Sequence, residues 1–237
     1  MSSSIQRKRI QKSPSDRRAE IVDAAAAIAL TEGLECITLR RIGEQLDVRP
    51  GLISHYFPAV EDLVAEAFGT AAGTELDTLL PLDRAAGTAT EYLARFFALA
   101  TGDAYDDISR LWINARHLSR YRPVLRDRVG HQEGMWRGRL EGLIRKGVDR
   151  GEFRTADPYV TTIQILVVID GLGAHANTET GDRPEAVTRM AVSTAERELG
   201  LESGTLMDHA GAHATNRPPT GAAAAGEDAT TTAGSRD

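Results

Sequence analysis

The chain has a single cysteine, Cys36, in 237 residues. A lone cysteine closes no disulfide within its own chain, so no disulfide framework is expected. At the end of the first helical stretch it reads as a small buried side chain. No run of 18 or more residues is wholly apolar, and the opening MSSSIQRKRIQK lacks an apolar centre, so neither a membrane span nor a secretory signal is read from it. Residence in the cytoplasm is the expectation. Alternating apolar and polar runs, the mark of half-buried strands, are also missing. So are a Ser/His/Asp grouping, a phosphate-cradling glycine loop and a cluster of ligands at metal spacing, and with them the usual grounds for an enzyme. His209 and His213 stand four apart, but no helix is expected around them and no third ligand lies near. Neither a metal nor a cofactor is expected.

Positive charge is in short supply overall, with 28 Lys and Arg against 34 Asp and Glu and a formal net charge of −6. The shortage is uneven. Residues 1–60 hold nine basic against seven acidic side chains, and the remainder of the chain is acidic. A nucleic-acid partner is therefore not excluded, because docking depends on the local field of one face.

That basic end contains the most informative stretch, Thr38 to Phe57, TLRRIGEQLDVRPGLISHYF. Thr38 suits a helix N-cap, and Leu39, Ile42 and Leu46 follow at spacings that share one helical face. Asp47 and Val48 make a turn, and Pro50 has the fixed φ suited to the first turn of a second helix over Arg49 to about His55. Ile53 and Phe57 would point back onto the apolar ridge. Arg49, Pro50, Gly51, Leu52, Ser54, His55 and Tyr56 are left facing outward, a mixture unlike a Lys/Glu solvated face. Two helices so arranged form a helix-turn-helix, whose second helix enters the DNA major groove. Arg49, Pro50, Gly51 and Leu52 would form the groove-facing tip, with Leu52 able to meet a thymine methyl.

The run from Arg17 to about Phe68 resembles the DNA-binding domain of TetR-family transcriptional regulators. RRAEIVDAA, EGLECITLRRIGEQLDV and PGLISHYFPAVEDLV carry the likeness, and GLISHYF is most similar to the BetI-like branch. The resemblance implies that Thr38, Arg40, Ser54, His55 and Tyr56 occupy DNA-contacting positions. Thr38 and Tyr56 would offer hydroxyls to phosphate, and Arg40 would reach a phosphate or a base. It also implies an all-α fold of about nine helices. An N-terminal three-helix head would join, through a fourth helix over Glu61 to about Leu80, a C-terminal domain for effector binding and dimerisation. In one respect the chain departs from the family: Val60 stands where a phosphate-holding lysine commonly follows the recognition helix.

The expected organisation is a flexible basic arm at 1–15, the helix-turn-helix domain at 16–60, an effector and dimerisation domain at 61–202, and a disordered tail at 203–237. The first helix would run from Asp16 to about Thr31. In the second domain, Pro123, Pro158 and Pro184 fall at first helical positions, with Asp157 and Asp182 ahead as caps. LEGLIRKGVDRGEFRTADP and VVIDGLGAHA are similar to BetI-like effector domains. The last two helices carry Ile163, Leu166, Val167, Ile169, Leu172, Met190 and Ala191, more apolar surface than one protomer needs. Gly171, Gly173 and Ala174 would let a second copy approach, and Asp170 would pack across that dimer. Tyr92, Phe96, Trp112, His117, Tyr121 and Trp136, with Asn114, Arg116 and Met135 among them, supply the mixed aromatic and polar lining of a small-molecule site. The expected function is a ligand-responsive regulator, acting as a repressor, whose partners are an inverted-repeat double-stranded DNA operator, a second copy of itself and an unknown small molecule. Val60 and the acidic body leave one alternative, a helical interaction protein with a vestigial helix-turn-helix.

Overall fold

The computed structural model describes residues 13–82, 87–100, 106–178 and 184–215. Most of the basic arm, Asp182 and the tail beyond 215 lie outside the described residues. Those described form α1 (Pro14–Thr31), a 3₁₀ turn (Leu34–Cys36), α2 (Leu39–Leu46), α3 (Pro50–Tyr56), α4 (Val60–Leu79), α5 (Ala89–Ala100), α6 (Asp106–Ser119), α7 (Pro123–Asp149), α8 (Pro158–Ala176), α9 (Glu185–Thr188), α10 (Met190–Glu198) and α11 (Thr205–Thr215), without a strand among them.

Local chemistry sets most of the boundaries. Ser13 caps α1 by accepting from Asp16 N at 3.1 Å, with Pro14 at the first turn. Asp157 caps α8 through Tyr159 N and Val160 N, and Pro123 and Pro158 sit in the first turns of α7 and α8. Pro184 is instead the cap residue of the short α9, and the helix expected to begin at Pro184 breaks at Arg189, where no proline or glycine marks the break.

A further departure is α11, which occupies the start of the stretch expected to be a disordered tail. Its cause is non-local. Buried Glu196 on α10 accepts from Gly204 N at 3.0 Å and Leu206 N at 2.9 Å, satisfying amides that a helix N-terminus leaves free. Leu206, almost wholly buried, then anchors the helix in the core.

α4 has 20 residues, a length of about 30 Å, and runs from the head into the body. Glu66 on α4 takes an ion pair from Arg18 of α1, and the same guanidinium lies 4.6 Å over the Phe57 ring. Farther along, Gln132 of α7 donates to Gly69 O at 3.2 Å, and Arg139 reaches both Asp77 and the Leu80 carbonyl. All five phenylalanines are fully buried and belong to one continuous core shared by head and body. Cys36 does not take the buried role expected of it. It is exposed, and its thiol contacts the Glu32 carbonyl at the end of α1.

Candidate DNA-reading head and effector cavity

The head assembles as the sequence suggests. Thr38 caps α2 by accepting from Arg41 N at 3.1 Å, and Asp47 ends the helix in the left-handed region at φ 52°. Val48 N then donates to Gly43 O at 2.9 Å, and Pro50 opens α3. Ile42, Ile53 and Phe57 are buried, so the back of α3 is fixed against α2 and the core. Arg49, Pro50, Gly51 and His55 are exposed; Leu52, Ser54 and Tyr56 are partly so. His55 and Tyr56 pack edge to face at 5.3 Å, and Ser54 Oγ donates to the Gly51 carbonyl at 3.1 Å. Arg40 reaches outward while paired with Glu44 one turn on. Arg41 instead turns back to Glu32, tying α2 to the end of α1. Val60 begins α4, whose cap residue Ala59 makes no side-chain cap bond.

In the body, α5, α6, α7 and α8 line a cavity of about 180 Å³ that is partly open to solvent. Phe96, Trp112 and Trp136 form its aromatic wall, and Ile163, Leu166, Val167 and Ile169 its aliphatic one. Its charged side is built around Arg116, which donates to Asp170 at 2.8 Å and to Glu133 at 3.1 Å and lies 5.1 Å over the Trp112 ring. Burial works against the Arg116 charge, but Asp170 and Glu133 outweigh it and hold the guanidinium more firmly protonated than usual. The same burial pushes the Asp170 carboxyl above the ordinary carboxylate range, with Arg116 pulling the other way. Trp112 also donates its indole N–H to buried Glu75 of α4 at 2.7 Å.

Two family models match this chain. Residues 21–67 match the bacterial regulatory proteins of the tetR family, and residues 97–200 match the C-terminal domain of BetI-type transcriptional repressors. Together they span more than half of the chain, on the two regions just described. The chain belongs to the TetR family.

As a TetR-family regulator it is 39% identical over 54 residues to the transcriptional repressor KstR of Mycolicibacterium smegmatis, a match covering 23% of this chain and 26% of that one. The chain thus aligns with only about a quarter of that relative's length. Among solved structures, a Rhodococcus protein assigned to the TetR family superposes with a TM-score of 0.66 at 20% identity, covering 78% of this chain and 99% of that one. A Saccharomonospora viridis protein crystallised with choline gives 0.63 at 24% identity, covering 77% and 95%. These relatives are described as regulators, not enzymes.

The nine positions expected to meet DNA all lie on α2, α3 or their caps in this TetR-type head. The six expected to meet a ligand divide. Phe96, Trp112 and Trp136 line the cavity together, whereas Tyr92, His117 and Tyr121 do not. Tyr92 packs beside Gly87 at the start of α5. Tyr121 lies beyond the end of α6 and is 73% exposed, in edge contact with exposed His117. Asn114 faces the head: its Oδ1 accepts from Leu34 N at 3.0 Å and its Nδ2 donates to the Glu35 carboxylate. Asp170 has a partner within its own chain, Arg116. Gly173 is likewise internal, with Ser109 of α6 3.2 Å from where its Cβ would be. Sequence reasoning missed Glu133 and Arg137 on the cavity wall, although their spacing of four around Trp136 puts all three on one side of α7.

Proposed function

We propose that this TetR-family chain is a repressor that binds an inverted-repeat operator as a homodimer and lets go when a small molecule enters the body. The observation that carries the reading is the outward face of α3, held by a buried apolar back and presenting small, aromatic and hydrogen-bonding groups at groove depth. Its place of work is the cytoplasm, where its DNA would be.

Pairing is supported by α8. By length and composition alone this helix could cross a membrane, yet only 22% of the stretch is buried inside the chain. Tyr159, Val160 and Val167, the last 61% exposed, lie uncovered along α8, and Gly171 and Ala174 nearer its end are exposed as well. An apolar stripe of this kind on a regulator is covered by its symmetry mate.

Coupling is supported by two ties from α6. Trp112 joins the cavity wall to Glu75 on α4, and Asn114 joins the same helix to the 3₁₀ turn ahead of α2. A ligand that shifts α6 would therefore move the head from two points, changing the separation of the paired reading helices.

The test is selection of bound DNA from a random pool. The expected product is a palindrome with half-site centres one helical turn, about 34 Å, or a multiple apart. Gel-shift titration on that DNA should then show Tyr56→Ala weakening every sequence alike, with Leu52→Ala changing which base is preferred. Failure to retain any DNA even at low salt, where phosphate attraction is strongest, would favour the vestigial helix-turn-helix reading.

A further inference from the structure

The cavity's unmet bonding capacity points to the kind of molecule it takes, an inference that rests on the effector-site reading above. Its carboxylates are already matched. Glu133 and Asp170 both engage the one guanidinium of Arg116, which sits between them and against the Trp112 ring. A cationic guest would have to compete with Arg116 for both carboxylates and would meet a second positive group, Arg137, on the same wall.

The donors are not matched. The indole N–H of Trp136 is buried without an acceptor among the described residues, in a side chain that is 7% exposed. A buried donor left in that state is costly unless something else satisfies it, and the side chain that carries it lines this cavity. Arg137 borders the same space and has no carboxylate partner among the described residues. Both unmet groups ask for an acceptor, and one of them asks for negative charge.

Size sets the other limit. The volume of about 180 Å³ is close to the roughly 150 Å³ of an engineered cavity that admits benzene. Aromatic and aliphatic walls suit a single ring or a short branched chain. We infer that the effector is a small apolar carboxylate, about one ring in size, whose carboxyl group accepts from Trp136 Nε1 and pairs with Arg137. Its apolar part would pack against Phe96, Trp112 and Leu166. This differs in charge from the choline found in the Saccharomonospora viridis neighbour.

The chain's two tryptophans both border the cavity, so intrinsic fluorescence and thermal melting of the full-length protein report occupancy without DNA. The probes are benzoate and phenylacetate, methyl benzoate as a neutral ester, and choline and phenyltrimethylammonium as cations. The acids should quench the fluorescence saturably and raise the melting temperature, with the ester bound at least tenfold more weakly and the cations without effect. Trp136→Phe keeps an aromatic side chain and removes the donor, leaving Trp112 as the fluorescent reporter; Arg137→Gln keeps a polar side chain and removes the charge. Each should weaken acid binding at least tenfold, read against each variant's own free-protein melting temperature, which Trp136→Phe lowers by removing buried volume and Arg137→Gln leaves close to that of the parent chain. Binding of the cations in place of the acids overturns the inference, as does a silent response to the whole panel. Acid binding that both variants retain overturns the placement. None of these readouts involves an operator, so failure of DNA binding would count against the proposed function alone.

Discussion

Gly171→Glu should turn the protein into a folded monomer that has lost most of its hold on the operator. A Cβ at this position meets nothing within 4 Å in the single chain, so the added side chain is accommodated and the helix itself gains from losing a glycine. In a dimer built on the α8 face, the same carboxylate would be driven into an apolar contact between two copies. Joining two half-site contacts in one molecule multiplies affinity by about 10²–10⁴ over one head alone. Operator affinity should fall by that factor, with helicity by circular dichroism intact and binding to an isolated half-site unchanged. Sedimentation decides the matter: a dimer that persists would move the interface elsewhere.

The second large effect is expected at Gly43→Ala. On helix propensity alone, alanine would be favoured there by about 1 kcal/mol. Sterics oppose it: the new Cβ would stand 2.8 Å from the Val48 carbonyl oxygen and 3.5 Å from Pro50 Cδ. The neighbour is backbone, and it is pinned by the bond from Val48 N to Gly43 O, so it cannot swing aside as a side-chain tip would. Overpacking of this sort costs about 1–3 kcal/mol, enough to reverse the propensity gain. The strain falls on the turn that aims α3. Since each good base contact is worth about 1–3 kcal/mol, displacing the helix should reduce specific binding about a hundredfold or more. The body is remote from this change. The expected melt therefore keeps the C-terminal domain while gel-shift titration shows the loss, and undiminished specific binding would contradict this account of the turn.

The head was legible in the sequence because its determinants are local. A threonine cap, a turn closed at Asp47, a proline at the first turn of α3 and apolar residues at helical spacing all act within a few positions. Even so, Gly43 went unnoticed, because the backbone it must clear arrives only when the turn closes. The body was legible as helices but only partly as a site. Phe96, Trp112 and Trp136 were found through their aromatic character, which suits any inward face. Tyr92, His117 and Tyr121 have similar character, and only the packing of α5, α6 and α7 shows that they point elsewhere. The membership of Glu133, Arg137 and Asp170 depends on how three helices meet around Arg116. Likewise, α11 exists because a carboxylate on α10 caps it, a relationship with no signature in the segment itself.

The construction of α6 bears on how such a regulator could acquire a new effector. Positions 112 and 116 face the cavity and position 114 grips the head, so side chains two apart serve recognition and transmission on the same turns of one helix. Retuning at Trp112 or Arg116 would tug on the grip at Asn114, and at Trp112 it would also remove the indole's bond to Glu75. Changes on α7 and α8, at Trp136, Arg137 or Leu166, carry no such penalty among the contacts described. Diversification of ligand preference in this lineage would therefore proceed through the far walls of the cavity, with α6 held constant as the shared moving part.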